Sequence, residues 1–109
     1  MKVLKKVEWL GDSKEVLSGF PGEIKSSMGF QLNILQKGEM PLRSRPMKSI
    51  GRGVYELKEQ DEAGWYRTVY TIHVKGCIYV LHAFKKQSAK TSKADLEIAK
   101  SRLKQIRSL

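Results

Sequence analysis

Three short β-type runs follow one another between residues 54 and 84, and they restrict the chain to folds built around an antiparallel meander. The runs are Val54–Lys58, Trp65–Val74 and Cys77–Phe84. They are rich in Val, Ile, Tyr and Thr, which suit a pleated, half-buried surface. Gly64 closes an acidic turn that begins at Gln60, and Gly76 follows Lys75 in a tighter one. Glycine supplies the positive φ that short hairpin connections demand.

The flanking segments read as helices laid against this meander. Lys2 to Leu10 predicts a strand, with Val3 and Val7 interleaved among Lys2, Lys6 and Glu8. Gly11 breaks it. Asp12, with Glu15 three residues on, has the spacing of a capping box and predicts a short helix over Ser13–Ser18. Pro21 suits the first turn of a second helix, where a missing N–H costs nothing. Ile24, Met28, Leu32 and Leu35 form one apolar stripe, and Gly38 fits the position just past the end. Such a stripe belongs to a core and carries no chemistry.

Residues 39–52 (EMPLRSRPMKSIGR) hold two prolines with Arg43, Arg45, Lys48 and Arg52. Proline disfavours helix in the residue before it, so this is a basic loop. It is either a solvated connector or a lip beside a phosphate-binding groove. At the other end, Ser92 can cap a last helix, with Asp95 at its third position and Leu96, Ala99, Leu103 and Ile106 on its apolar face. The order β-α-α-β-β-β-α predicts a single α+β domain over residues 1–109, with helices packed on a small antiparallel sheet.

Charge narrows the partners. The 21 Lys and Arg against 11 Asp and Glu give a formal charge of +10 and a pI near 9.9. That predicts an acidic partner: nucleic acid, an anionic membrane surface or an acidic protein. Between Lys85 and Leu109 there are eight basic residues and two acidic ones, with Lys85, Lys86 and Lys90 nearest the exit of the last strand. Cys77 is the only cysteine, which excludes an internal disulfide. No apolar run approaches the ~20 residues that span a bilayer. The N-terminus has no apolar core of a signal peptide. The expectation is a cytoplasmic protein.

Enzyme motifs are mostly missing. There is no G-x-G-x-x-G and no G-K-[ST]. His73 and His82 with one distant Cys make no zinc set. What remains is the meander's cationic and aromatic content. Period-2 geometry puts Trp65, Arg67, Val69 and Thr71 on one face, and Tyr66, Thr68, Tyr70 and Ile72 on the other. Across the hairpin, Lys58 and Arg67 approach each other. Two close cations are favourable only around an anion, such as an RNA phosphate in a cleavage transition state. The plainer readings are a solvent-facing Lys58, and an Arg67 paired with Glu56 or Asp61. His82 is read as a satisfied core histidine or as a proton carrier near neutral pH. Tyr66 and Tyr70 are packing residues or platforms for a base.

Read in order, GVYELK (53–58), GWYRTVY (64–70) and LHAFKKQSAKT (81–91) resemble the HigB toxins, in their phage-protein-like branch within the RelE/ParE toxin superfamily. The likeness covers residues 48–100. The resemblance implies a small curved antiparallel sheet with an N-terminal helical hairpin and a C-terminal helix. It also implies a metal-independent, usually ribosome-dependent mRNA interferase, which cleaves by attack of the ribose 2′-OH on the adjacent phosphate. No cofactor is implied. A cognate helix-turn-helix antitoxin would neutralise it. The ParE branch offers the alternative of a gyrase inhibitor, and a non-catalytic nucleic-acid-binding prophage protein is the other.

By this resemblance Arg67 contacts the scissile phosphate, and Lys58 transfers a proton or stabilises charge. Lys85 and Lys86 stand where RelE-like toxins place an arginine. Three departures stand out. No Tyr follows Tyr79, so the RelE-type C-terminal tyrosine has no counterpart. Glu56 replaces a lysine, and Ala83 a glycine. The general base is left open, with His82 a candidate. Lys90, Arg43, Arg45, Lys48, Tyr66 and Tyr70 complete the residues expected to touch RNA.

Overall fold

A computed structural model of the protein describes residues 3–72, 76–87 and 90–107. The elements are β1 (Val7–Trp9), α1 (Ser13–Ser18), α2 (Gly22–Gln36), β2 (Ser44–Pro46), β3 (Val54–Asp61), β4 (Gly64–Ile72), β5 (Ile78–Lys86) and α3 (Lys93–Arg107). The strands form one sheet in the order β1-β5-β4-β3-β2. The expected strand residues His73 and Val74, and Lys75 of the second turn, lie outside the described residues.

The α+β architecture is the expected one, with two differences in the sheet. β1 runs parallel to β5, with Val7 opposite Ile78 and Trp9 opposite Val80, so the sheet is mixed. Between β1 and the next strand the chain passes through α1 and α2, and β1 meets its partner β5 only after the whole meander has formed. In addition, the basic loop contains β2, which pairs antiparallel with β3 through Ser44–Leu57, Arg45–Glu56 and Pro46–Tyr55. Three residues ending in proline carry too little strand pattern to be read from sequence. Proline is tolerated here because β2 is an edge.

Both faces of the sheet are used. One packs under α1 and α2: Leu57, Tyr66, Tyr70, Ile78, Val80 and Ala83 meet Leu17, Phe20, Ile24, Met28, Leu32 and Leu35. The expected stripe on α2 is thus core, and Met28 is fully enclosed. Truncating such a residue to Ala typically costs about 2–5 kcal/mol. The other face packs under α3, where Val54, Val69, Leu81 and Phe84 meet Ala99, Leu103 and Ile106. Between Val69 and Tyr70 the β4–β5 register shifts, so Leu81 is an extra residue on β5. Bulges of this kind bend a strand and increase its twist.

Most local signals act as expected. Gly38 follows α2 with φ +86°. Ser92 Oγ accepts the Asp95 amide at 3.2 Å, the cap predicted for α3. Asp12 departs from expectation. It occupies the N-cap position of α1 without a side-chain cap bond. Its carboxylate instead accepts from Arg102 at 3.0 Å, tying α1 to α3.

Candidate functional site

The face under α3 is only partly covered. Toward the β3–β4 turn the helix has not yet begun, and the sheet presents polar side chains. Register fixes which ones. Arg45 lies opposite Glu56, Lys58 opposite Arg67, and Gln60 opposite Trp65. Across the next ladder Arg67 lies opposite Phe84 and Trp65 opposite Lys86. Directly opposed residues share a face. Arg45, Glu56, Lys58, Trp65, Arg67 and Lys86 therefore converge on one end of one side.

Like charges directly opposite each other are unfavourable. The structure relieves the clash in two ways. Arg67 turns to Glu56, with Nη1 2.8 Å from Oε2, and both side chains are only 7% exposed. Lys58 turns the other way and sets its ammonium 5.0 Å from the centre of the Trp65 ring, a cation–π contact. Arg67 Nη1 also donates to Thr91 Oγ1 at 2.9 Å, just before α3. Its Nε is buried with no hydrogen-bond partner. An unmet buried donor costs about 1–3 kcal/mol.

His82 closes the opposite side of this cluster. It lies across from Val69 and stacks on Phe84 with ring centres 4.8 Å apart. Nε2 is 2.9 Å from Asp95 Oδ1, and Nδ1 is 3.4 Å from Arg102 Nη1. Arginine can only donate, so Nδ1 is the acceptor and Nε2 carries the proton given to Asp95. Asp95 Oδ2 also accepts from Ser92 Oγ at 2.7 Å and pairs with Lys86 Nζ at 3.1 Å. Burial works against the Asp95 carboxylate, yet the hydrogen bonds from His82, Ser92 and Lys86 hold its pKa below the ordinary value. With both ring nitrogens engaged, His82 is not placed to take a proton from an alcohol. It fastens β5 to the start of α3, the satisfied-histidine reading.

The basic lip is anchored from beneath. Glu59, nearly buried on the α2 side, accepts from Ser27 Oγ at 2.7 Å, Gln31 Nε2 at 2.8 Å and Arg43 Nη1 at 2.9 Å. The Tyr70 hydroxyl meets Ser44. Between this lip and the strand ends lies an open groove of about 320 Å³, lined by Leu42, Arg43, Arg45, Lys58, Gln60 and Trp65 among others. Arg45 is exposed there, while Lys48 is exposed beside a second hollow, farther along with Arg52.

Two expectations fail on direction. Tyr66 and Tyr70 are 1% and 0% exposed, in the core under α1 and α2, so neither ring is offered to a base. Lys85 and Lys86 point to opposite faces: Lys86 joins Asp95, whereas Lys85 lies over the Tyr66 ring at 5.5 Å. Lys90 is exposed in the segment leading to α3. Two further residues join the cluster that were not expected to touch RNA: Glu56, foreseen as an ion-pair partner of Arg67 and found as one, and Trp65, placed on Arg67's face by the strand period. Their period-2 relation to Lys58 and Arg67 was the available signal. Among the described residues no three His, Cys, Asp or Glu side chains are grouped to hold a metal ion, and no helix is long and apolar enough to cross a membrane.

Residues 15–104 match a family described as phage-derived protein Gp49-like. Among solved structures, the chain is similar to a mutant of the Escherichia coli toxin RelE in the free state. That match has a TM-score of 0.62 and 12% identity over 94% of this chain and 98% of the other. It is also similar to a chain of the toxin–antitoxin complex RelBE2 from Mycobacterium tuberculosis. There the TM-score is 0.54 with 18% identity, covering 77% of this chain and 100% of that one. No curated protein matches the sequence. At these identities the structural likeness is one of fold.

Proposed function

The chain belongs to the phage-derived Gp49-like family and has the fold of RelE, and from that premise we propose that it is the toxin of a toxin–antitoxin pair, a single-domain endoribonuclease that cleaves mRNA on the ribosome. One observation carries the reading. Arg67 is buried beside a second cation and a carboxylate, and its Nε lacks an acceptor. That is the composition a phosphodiester cleavage site needs.

In the proposed reaction the ribose 2′-oxygen forms a bond to phosphorus as the bond to the 5′-oxygen breaks. The products are a 2′,3′-cyclic phosphate and a 5′-hydroxyl. Arg67 offers its planar fork to the non-bridging oxygens as negative charge builds on them. Glu56 is the carboxylate in contact with Arg67. When the phosphate shares the guanidinium, Glu56 accepts the proton of the 2′-hydroxyl. Lys58, released from Trp65, gives a proton to the departing 5′-oxygen, which leaves as the 5′-hydroxyl. Charge stabilisation then comes from side chains, and no metal enters the scheme. His82 and Asp95 act as positioning residues, holding Lys86 and the start of α3 in place. The ribosome would supply in-line alignment of the message. A cognate antitoxin, of the helix-turn-helix kind that accompanies such toxins, would neutralise the chain in the cytoplasm.

Primer extension on total mRNA after induction tests this. Wild-type protein should produce new 5′ ends, and Lys58→Ala should reduce their rate by about 10²–10³, the usual loss for one transition-state donor. Growth arrest with intact messages, accompanied by relaxed plasmid DNA, would transfer the chain to the gyrase-directed class.

A further inference from the structure

The groove beside Arg67 contains features that phosphate chemistry leaves unused. Trp65 is half-buried at the start of β4, two residues from Arg67 on the same face. Strand geometry separates the two positions by about 7 Å. The ring lines the groove of about 320 Å³ together with Gln60, Lys58 and Arg45. That volume falls at the lower end of pockets that take small ligands, roughly 300–1,000 Å³. Gln60 is exposed beside the ring, and its amide has no hydrogen-bond partner among the described residues. A primary amide offers both a donor and an acceptor. The two tyrosines of the same strand are buried on the other side, which leaves Trp65 as the aromatic ring that lines this groove.

We propose that the Trp65 groove is a nucleobase subsite: the base next to the scissile phosphate of single-stranded RNA stacks on Trp65, and Gln60 reads its edge. The proposal rests on the nuclease reading for its substrate class. Lys58 links the two halves. In the free protein its ammonium covers the Trp65 ring at 5.0 Å. A phosphate at Arg67 attracts that ammonium, and its departure uncovers an aromatic surface one strand step away. Backbone binding and base stacking thereby become sequential uses of the same residues. Arg45, on the lip, holds the next phosphate.

The test is fluorescence. Trp9 and Trp65 are the two tryptophans, so a Trp9→Phe background lets emission report on Trp65 alone. Hexaadenylate should quench it in a saturable manner. An abasic hexamer with the same phosphates should bind through charge and quench little. Trp65→Ala should weaken hexaadenylate binding roughly 5- to 150-fold, the loss typical of one stacked base. It should not weaken affinity for the abasic hexamer, because the ring's loss only frees Lys58 for phosphate, and Trp65→Phe should restore most of the binding. In ribosome cleavage assays Trp65→Ala should act mainly on KM. Equal weakening toward both hexamers, or none toward either, would overturn the subsite. Base-dependent quenching without any mRNA cleavage would keep the subsite and remove the nuclease. Cleavage indifferent to Trp65→Ala would do the reverse.

Discussion

The Glu56–Arg67 pair makes the obvious test of catalysis misleading, and the structure says how to repair it. Both side chains are 7% exposed and 2.8 Å apart. Arg67→Met would remove the guanidinium and strand a carboxylate under α3. Breaking a buried pair in this way costs about 3–5 kcal/mol. For a chain of 109 residues, at about 2.1 cal/mol/K of unfolding entropy per residue, each kcal/mol is worth about 4.4 °C. The single variant should therefore melt about 13–22 °C below wild type, and its inactivity would say nothing about chemistry. The double variant Glu56→Leu/Arg67→Met replaces the pair with apolar groups of similar bulk. It should return to within about 1.5 kcal/mol of wild-type stability, or ~7 °C. It should nevertheless leave messages intact. Thermal unfolding by circular dichroism and primer extension on induced cells give the two readouts. A stable double variant that cleaves like wild type would show that neither residue takes part in the reaction. A single Arg67→Met variant as stable as wild type would refute the buried pair itself.

Asp95→Asn should lower stability at pH 7, because it removes a carboxylate held below its ordinary pKa by His82, Ser92 and Lys86. A depressed carboxyl contributes stability that is complete above about pH 4 and fades as the pH falls through the lower folded-state value. Urea midpoints of variant and wild type should accordingly converge in acid, and a gap that widens there would contradict the assignment. Lys86→Ala and Lys85→Ala should differ although the residues are adjacent. Lys86 lies on Arg67's side, and its loss should lower kcat/KM about tenfold, whereas Lys85→Ala should stay within about twofold. Cleavage kinetics on programmed ribosomes would separate them.

Much of the fold was legible because period and punctuation agree locally. The Ile24–Leu35 stripe, Gly38, the Ser92–Asp95 cap and the three long strands all depend on neighbours within a few residues. β2 was missed for the opposite reason: it is three residues that become a strand only because Leu57, Glu56 and Tyr55 are there to pair. The parallel pairing of β1 likewise depends on a partner far along the chain. Within the site, register made Lys58 and Arg67 visible as a pair. Burial was not visible. Nothing in GWYRTVY distinguishes the enclosed Tyr66 from the groove-lining Trp65 until the helices show which side is the core. His82 shows the same limit, since its partners Asp95 and Arg102 arrive from a helix folded back over the strand.

The parallel β1–β5 ladder also bears on the order of assembly. Val7 must wait for Ile78 to be synthesised before it can dock, whereas β3, β4 and β5 close on one another through short hairpins. Contacts of small sequence separation form first, because less loop entropy opposes them. The strands bearing Lys58, Arg67 and Lys86 should thus emerge as an early folding unit, and the N-terminal strand is the late seal. In hydrogen-exchange experiments the amides of β4 should be the slowest to exchange, and those of β1 should open well below the global unfolding energy.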